Sequence, residues 1–211
     1  MIAKMINYAI QDSQRYMQLT KEHLLIDLAA FIICILIAVP LGYICAKHEK
    51  ISVPLVAIAN LIMVIPSLAM FALLQPILGI GMTPALIALV SLGIPTMMLN
   101  TKSGYLNVDR IVCENAYAMG MEPWRVCMQV ETPLALPAIL NGMRITAVSI
   151  IAGTAIAAYV GAGGLGFYIK LGLTARKMEA TYLGAFTVAV IAIIVDNILA
   201  FFQRRQLKKV A

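Results

Sequence analysis

The side chains of this sequence with chemistry to offer are four cysteines, two histidines, a glycine cluster and a few charges set inside long apolar runs. Cys34, Cys45, Cys113 and Cys127 are scattered, with no C-x-x-C pair, and Cys34 and Cys45 lie in one apolar run. His23 and His48 stand alone near charge-rich helix ends, where they read as interfacial side chains. A zinc or redox centre needs clustered soft ligands, so no metal site is expected. Gly161, Gly163 and Gly166 fit G-x-G-x-x-G. In a dinucleotide fold that motif follows a strand and opens a helix. Here it follows one long apolar run and precedes another, which excludes nucleotide binding. No nucleophile–base pair, adjacent carboxylate pair or Walker sequence is present, so the chain is not expected to be an enzyme.

The elements that carry these residues are set by hydropathy. Of 211 residues, 62% are hydrophobic and 12% charged, and the mean hydropathy is +0.91. Soluble domains are nearer half apolar and a quarter charged, so the bilayer is the solvent this composition requires. Five stretches are long and apolar enough to span it: residues 24–46, 51–74, 80–99, 138–160 and 182–202. The second contains Pro54 and Pro66 and the third Pro95, which a bundle tolerates where neighbouring helices satisfy the freed carbonyls. The fourth is dense in Gly, Ala, Ser and Thr, as in a helix packed against protein. The fold expected is therefore an all-α membrane protein of five transmembrane helices.

The first 23 residues show no secretory signal. Ile2, Met5, Ile6, Ala9, Ile10 and Met17 recur at helical spacing, which fits an interfacial helix or a frayed terminus equally. With the C-terminus inside, nine basic residues (Lys47, Lys50, Lys102, Arg110, Arg125, Arg204, Arg205, Lys208 and Lys209) lie on inner segments against six outside. That bias favours an outer N-terminus and an inner C-terminus. The net charge of +6 lies between spans and forms no basic face interleaved with aromatics, so no nucleic acid is expected.

Between spans three and four lies a polar segment, NVDRIVCENAYAMGMEPWRVCMQVETPLALPAI. Asn107 can cap a helix over 109–119 with Asp109 in its first turn. Gly120 can end it in the left-handed region, and Pro123 suits the start of a second short helix. Pro133 is expected to stop that helix and Pro137 to open the next span. The small residues Ala116 and Ala118 would let a partner approach closely. On physical grounds the hairpin is either a docking element or a loop packed on its own bundle. Within the spans, Arg144 and Asp196 sit at one depth, each about 9 Å from the same membrane face, and would pair if their helices are neighbours. Otherwise Arg144 reaches the headgroups and Asp196 faces a polar cavity. Asn60, Ser67, Ser91, Thr96, Asn141 and Ser149 either line a pathway or bond neighbouring helices.

The hairpin resembles the EAA loop of ABC importer permeases, a Glu-Ala-Ala start, a following glycine and an Ile-x-Leu-Pro ending. This chain matches at Glu114, Ala116, Gly120 and Pro133 and departs at Asn115, Val130 and Thr132. Together with IPSLAMFALLQPILGIGMTPALIAL, VETPLALPAILNGMR, YVGAGGLGFYI and AIIVDNILA, it resembles the osmoprotectant branch, whose members import glycine betaine, carnitine, choline and related quaternary amines. The resemblance implies the type I importer permease fold and cytoplasmic coupling helices at about 107–132, with Glu114, Ala116 and Gly120 on the ATPase contact. It implies a transmembrane domain over 19–203, preceded by an interfacial segment (1–18) and followed by a basic cytoplasmic tail (204–211). Partners implied are ABC ATPase subunits carrying ATP and Mg, an extracytoplasmic binding protein bearing the quaternary-ammonium cage, a second permease subunit and membrane lipid. This chain itself would hold no cofactor. Gly161, Gly163, Gly164 and Gly166 would lie on the outer face as a gate element, with plain helix termination as the alternative. The rivals are the same architecture for an amino acid, phosphonate or bile-like compound, an ion-coupled secondary transporter, and a non-transporting scaffold. Five spans cannot form the equal inverted halves of the secondary class.

Overall fold

The computed structural model describes the backbone of residues 2–210 and the side chains of residues 4–208. Ile2 and Lys209, which entered the patterns above, therefore lie outside the described side chains. Among the described residues every regular element is helical. The chain opens with α1 (Ile2–Gln11) and α2 (Ser13–Lys47), turns into α3 (Glu49–Val64) and α4 (Ser67–Leu78), and returns through α5 (Met82–Leu106). The hairpin α6 (Arg110–Ala118) and α7 (Pro123–Val126) leads through a π turn (Cys127–Glu131) into α8 (Thr132–Ala157), closed by a 3-10 turn (Ala158–Val160). The short α9 (Gly166–Thr174) and the long α10 (Met178–Val210) finish the chain.

Four helices are long and apolar enough to cross a membrane, and α3 with α4 makes a fifth crossing if the pair counts as one. Four of the five expected spans are thus present as single helices, with one correction. The second is not a straight helix: α3 and α4 meet at 99°. Pro66 has no N–H to continue the ladder and disfavours helical geometry at Ile65, whose ψ of 120° is extended.

The first span is longer than its apolar core. At 35 residues α2 reaches about 52 Å, so residues 13–23 continue the spanning helix. Its buried residues Ile26, Ala30, Cys34, Ala38 and Gly42 recur every fourth position, making a narrow face of mostly small side chains that lies along α5. A Cβ on Gly42 would stand 2.5 Å from Thr101 Cβ, so glycine sets the distance between the two helices there. From α5 the packing passes to α8 and from α8 to α10. The outward faces keep Leu36, Leu61 and Ile77 exposed, as a bilayer allows and water does not.

Two hairpin expectations change. Asp109, not Asn107, is the cap: its Oδ1 accepts from the Ile111 N–H at 2.8 Å, and Asn107 still closes α5. Pro133 does not stop the second hairpin helix, because Pro123–Val160 runs as one 38-residue helical rod with Pro133 and Pro137 inside it. The π turn just before Pro133 makes this possible, since its wider winding accommodates a residue without an N–H.

The bundle has two ends. One gathers the Lys47–Glu49 turn, the α6–α7 hairpin, the π turn and the end of α10. The other gathers α1, the start of α2, the Gly79–Gly81 turn, residues 161–166 and α9. There Tyr168, fully buried, packs against Tyr8, Tyr16 and Phe167, and its hydroxyl donates to Asp12 at 2.8 Å. The terminal helix α1 is thereby tied to α9 and α10 and is not frayed.

Candidate functional site

The hairpin is a protruding element held by a few anchors. Val126 and Ala116 are buried at 0% and 2% exposure, where α6 packs on α7 and the π turn. Ala116 therefore faces inward, where close approach is by the chain itself. The outer face is left to Ile111, Tyr117, Met119 and Trp124, all exposed apolar side chains, and to Glu114. Glu114 Oε1 accepts from Arg110 Nε at 2.7 Å one turn earlier, with both side chains open to solvent. Gly120 adopts φ +82°, and an added Cβ would meet nothing within 4 Å among the described residues, so its need for glycine is conformational.

At its base the hairpin meets the ends of two spans. Lys47 Nζ lies 2.5 Å from Glu131 Oε1, and Cys113 Sγ donates to the same oxygen at 3.8 Å. Burial and the adjacent Glu131 carboxylate push the Cys113 thiol up, so it remains a protonated donor. Beside this pair Tyr105 and Thr132 share a hydroxyl bond of 2.9 Å. Nothing in the sequence pairs Lys47 with Glu131, 84 positions apart.

Of the clefts along the bundle, two hold polar candidates from the spans. One of about 380 Å³ is lined by Ser67, Gly93, Thr96, Ser149, Gly153 and apolar neighbours, and the break between α3 and α4 forms one wall. Three of the six candidate pathway residues are here. Asn60 and Ser91 line neither cleft. Asn141 lines the second cleft and also donates to Asn100 Oδ1 at 3.2 Å, so it bonds a neighbouring helix as well. The second cleft, about 650 Å³, lies between α8 and α10 and contains Arg144 and Asp196.

The structure brings those two charges together. Arg144 Nε and Nη2 donate to the two Asp196 carboxylate oxygens at 2.9 and 3.0 Å. Its Nη1 donates to Gln203 Oε1 at 2.7 Å, and Gln203 Nε2 returns a bond to the Pro137 carbonyl. Such a planar fork on a carboxylate is the strong form of the pair. Arg144→Ala and Asp196→Ala should each lower the unfolding midpoint in detergent. The double variant should cost less than the sum, with a coupling on the order of 1 kcal/mol after allowing for solvent at this partly exposed site. Additive losses in the double-mutant cycle would reject a working pair.

The glycines at the other end form a turn in which Gly161, Gly163 and Gly164 take φ of +80°, +82° and +75°. Gly161 packs on Ile80, and the Gly81 N–H donates to the Val160 carbonyl at 3.1 Å. The Gly164 N–H donates to Glu22 Oε2 at 3.3 Å, while Gly166 leaves room only for the Ala155 backbone. Under this turn lies a cluster that sequence reading missed. His23 is not interfacial but wholly buried, with Nε2 3.6 Å from Asp27 Oδ2, and Thr154 Oγ1 donates to Asp27 Oδ1 at 2.5 Å. The i,i+4 spacing of His23 and Asp27 was the available signal. Among the described residues no three His, Cys, Asp or Glu side chains converge as metal ligands.

The model of the family described as "binding-protein-dependent transport system inner membrane component" matches residues 38–208. The choline transport system permease protein OpuBB of Bacillus subtilis (strain 168) is 37% identical over 186 residues, covering 88% of this chain and 86% of that protein. The glycine betaine/carnitine/choline transport system permease protein OpuCB of the same strain is 36% identical over the same shares. The carnitine transport permease protein OpuCD of Listeria monocytogenes serotype 1/2a (strain 10403S) is 36% identical over 96% of this chain and 92% of its own length. Among solved structures, a chain of the inward-facing methionine ABC transporter MetNI superposes with a TM-score of 0.77 at 21% identity, over 95% of this chain and 98% of that one. A chain of an amino acid ABC transporter crystallised with histidines gives 0.76 at 19% identity, over 94% and 97%. These superpositions carry the fold, a type I ABC importer permease bundle. With the family match spanning most of the sequence, the chain belongs to the binding-protein-dependent transport system inner membrane components and is the permease subunit of an ABC importer.

Proposed function

We propose that this permease forms the membrane path for a quaternary-amine osmoprotectant, glycine betaine, carnitine or choline, and that its α6–α7 hairpin seats a cytoplasmic ATPase. The observation that carries the docking half is the hairpin itself. Its arms close on the buried Val126 and Ala116, and it presents an apolar face with Glu114 and the left-handed Gly120 at its edge. ATP and Mg belong to that ATPase. The solute class is supported by relatives at 36–37% identity whose names specify these three compounds. An external binding protein delivers the solute to the end carrying residues 161–166 and the Gly79–Gly81 turn, where Gly161, Gly163, Gly164 and Gly166 shape the outer gate.

The cleft holding Ser67, Thr96 and Ser149 is open along one side. A second permease subunit closes it into the path. The nine-to-six basic bias supports an inner hairpin and C-terminus and an outer N-terminus. The test is affinity capture of the tagged chain from its native membranes, followed by ATP-driven uptake in vesicles. Glycine betaine, carnitine and choline are offered beside methionine and histidine. Native chain should bring down an ATPase and accumulate a quaternary amine. Glu114→Lys, which reverses the exposed charge, and Gly120→Pro, which cannot hold φ +82°, should insert normally but lose uptake on the order of tenfold. Normal uptake in both variants would remove the docking role. Accumulation of an amino acid alone would remove the solute assignment. Because the ATPase is a cytoplasmic protein, its capture through the hairpin also tests the orientation.

A further inference from the structure

The base of the hairpin holds a charged contact that anchoring alone does not require. Glu131 is the last residue of the π turn, where the hairpin becomes α8, and its side chain is 7% exposed. One oxygen takes Lys47 Nζ and the Cys113 thiol, and the other has no hydrogen-bond partner among the described residues. A carboxylate this far from water relies on its one cationic partner, so the pair is either closed or costly to open. The three side chains come from separate elements: Lys47 from the last turn of α2, Cys113 from α6, and Glu131 from the π turn at the root of α8. The next residue, Thr132, reaches α5 through Tyr105, whose ring meets Tyr43 of α2 edge-on at 5.0 Å. Three spans, the α6 arm of the hairpin and the π turn that follows α7 therefore converge within a few side chains. The link between them is a π turn, a winding that can change register more readily than an α-helix and recurs at functional sites.

We propose that the Lys47–Glu131 pair is the positioning contact that passes displacement of the α6–α7 hairpin to α2 and, through Thr132 and Tyr105, to α5. This rests on the reading of the hairpin as the ATPase seat. With the pair closed, a push on the hairpin moves the ends of α2, α5 and α8 as one body. With it broken, the hairpin moves while α2 and α5 lag, and ATP is spent without solute crossing. Lys47 and Glu131 touch no solute and no nucleotide in this role.

The experiment uses the captured complex in vesicles and measures ATP hydrolysis and glycine betaine, carnitine and choline uptake in the same preparation. Lys47→Met and Glu131→Gln should retain the ATPase on capture and keep hydrolysing ATP. Solute moved per ATP should fall on the order of tenfold. Lys47→Arg keeps the charge and should hold the ratio within about twofold of native. An unchanged ratio in Lys47→Met and Glu131→Gln, whether uptake is normal or falls in step with hydrolysis, overturns the proposal. So does loss of the ATPase from these variants alone, which would make the pair part of the docking surface. Loss of the ratio in Lys47→Arg as well overturns it too, because packing and not the charged pair would then matter there. Failure of the native chain to capture any ATPase would instead sink the docking reading on which the inference stands.

Discussion

Gly166→Ala is expected to leave little correctly folded chain, and to do so more severely than any other alanine substitution in the 161–166 turn. The added Cβ would land on the Ala155 carbonyl oxygen and within 2.7 Å of its carbon and 2.8 Å of its Cα. All three atoms are backbone inside α8, so no side-chain rotation relieves the clash. Either α9 lifts from α8 by about an ångström or the last turn of α8 distorts, and overpacking of this kind costs about 3 kcal/mol or more. The lift would also pull Tyr168 out of its aromatic cluster, because Tyr168 sits two residues further along the same helix. Gly120→Ala supplies the contrast. Its φ of +82°, unlike the backbone of Gly166, is itself unfavourable for alanine, but the space is open, so the cost is about 1–2 kcal/mol of backbone strain alone. Size-exclusion yield and thermal midpoint in detergent separate the two. Equal stability for both variants would mean that the α8–α9 contact is looser than described.

Thr154→Val should be the second costly change, although the two side chains have nearly one shape. Threonine has a single hydroxyl hydrogen, and the Asp27 oxygen at 2.5 Å competes for it with the Ile150 carbonyl at 3.0 Å. The shorter bond to a carboxylate prevails. Without it Asp27, 7% exposed within the bundle, keeps only the His23 ring at 3.6 Å, a separation too long for a good hydrogen bond. Stranding a buried carboxyl costs on the order of 2–3 kcal/mol. Asp27→Asn retains an acceptor for Thr154 and removes the ionisable group, so it should stay within about 1 kcal/mol of native. If Asp27→Asn costs as much as Thr154→Val, the charge rather than the Thr154 bond holds this site together. Unfolding midpoints of the two variants decide the matter.

Legibility in the sequence differed by feature for identifiable reasons. Arg144 and Asp196 could be brought to one depth because helical rise is regular and both lie on long, uninterrupted spans. Gly120 announced its left-handed turn because it alone separates a helical run from Glu122–Pro123. Lys47–Glu131 and the contact of Thr154 with Asp27 could not be found that way. Their meeting depends on the rotation of α2 about its axis, which its own composition leaves open and which the Ala30, Cys34, Ala38 and Gly42 face fixes only once α5 is laid against it. Ala116 was misplaced for a related reason: small size allows close approach without saying to which surface.

The sequence by itself determined the solvent, the apolar runs that make the long spanning helices, the position of the hairpin between the third and fourth, and the importer-permease family. Each of these is carried by quantities local in the chain: the sum of hydropathy over about 20 residues, a glycine between helical runs, a motif at fixed spacing. Tertiary structure alone decided that the second span bends by 99°, that a helix runs unbroken through Pro133, and which charges meet at the base of the hairpin. A hydropathy sum is blind to a bend because burial in lipid does not depend on direction. A proline's effect depends on whether the preceding turn can widen. A contact between residues 84 positions apart exists only when packing has fixed both the spacing and the rotation of the helices that carry them.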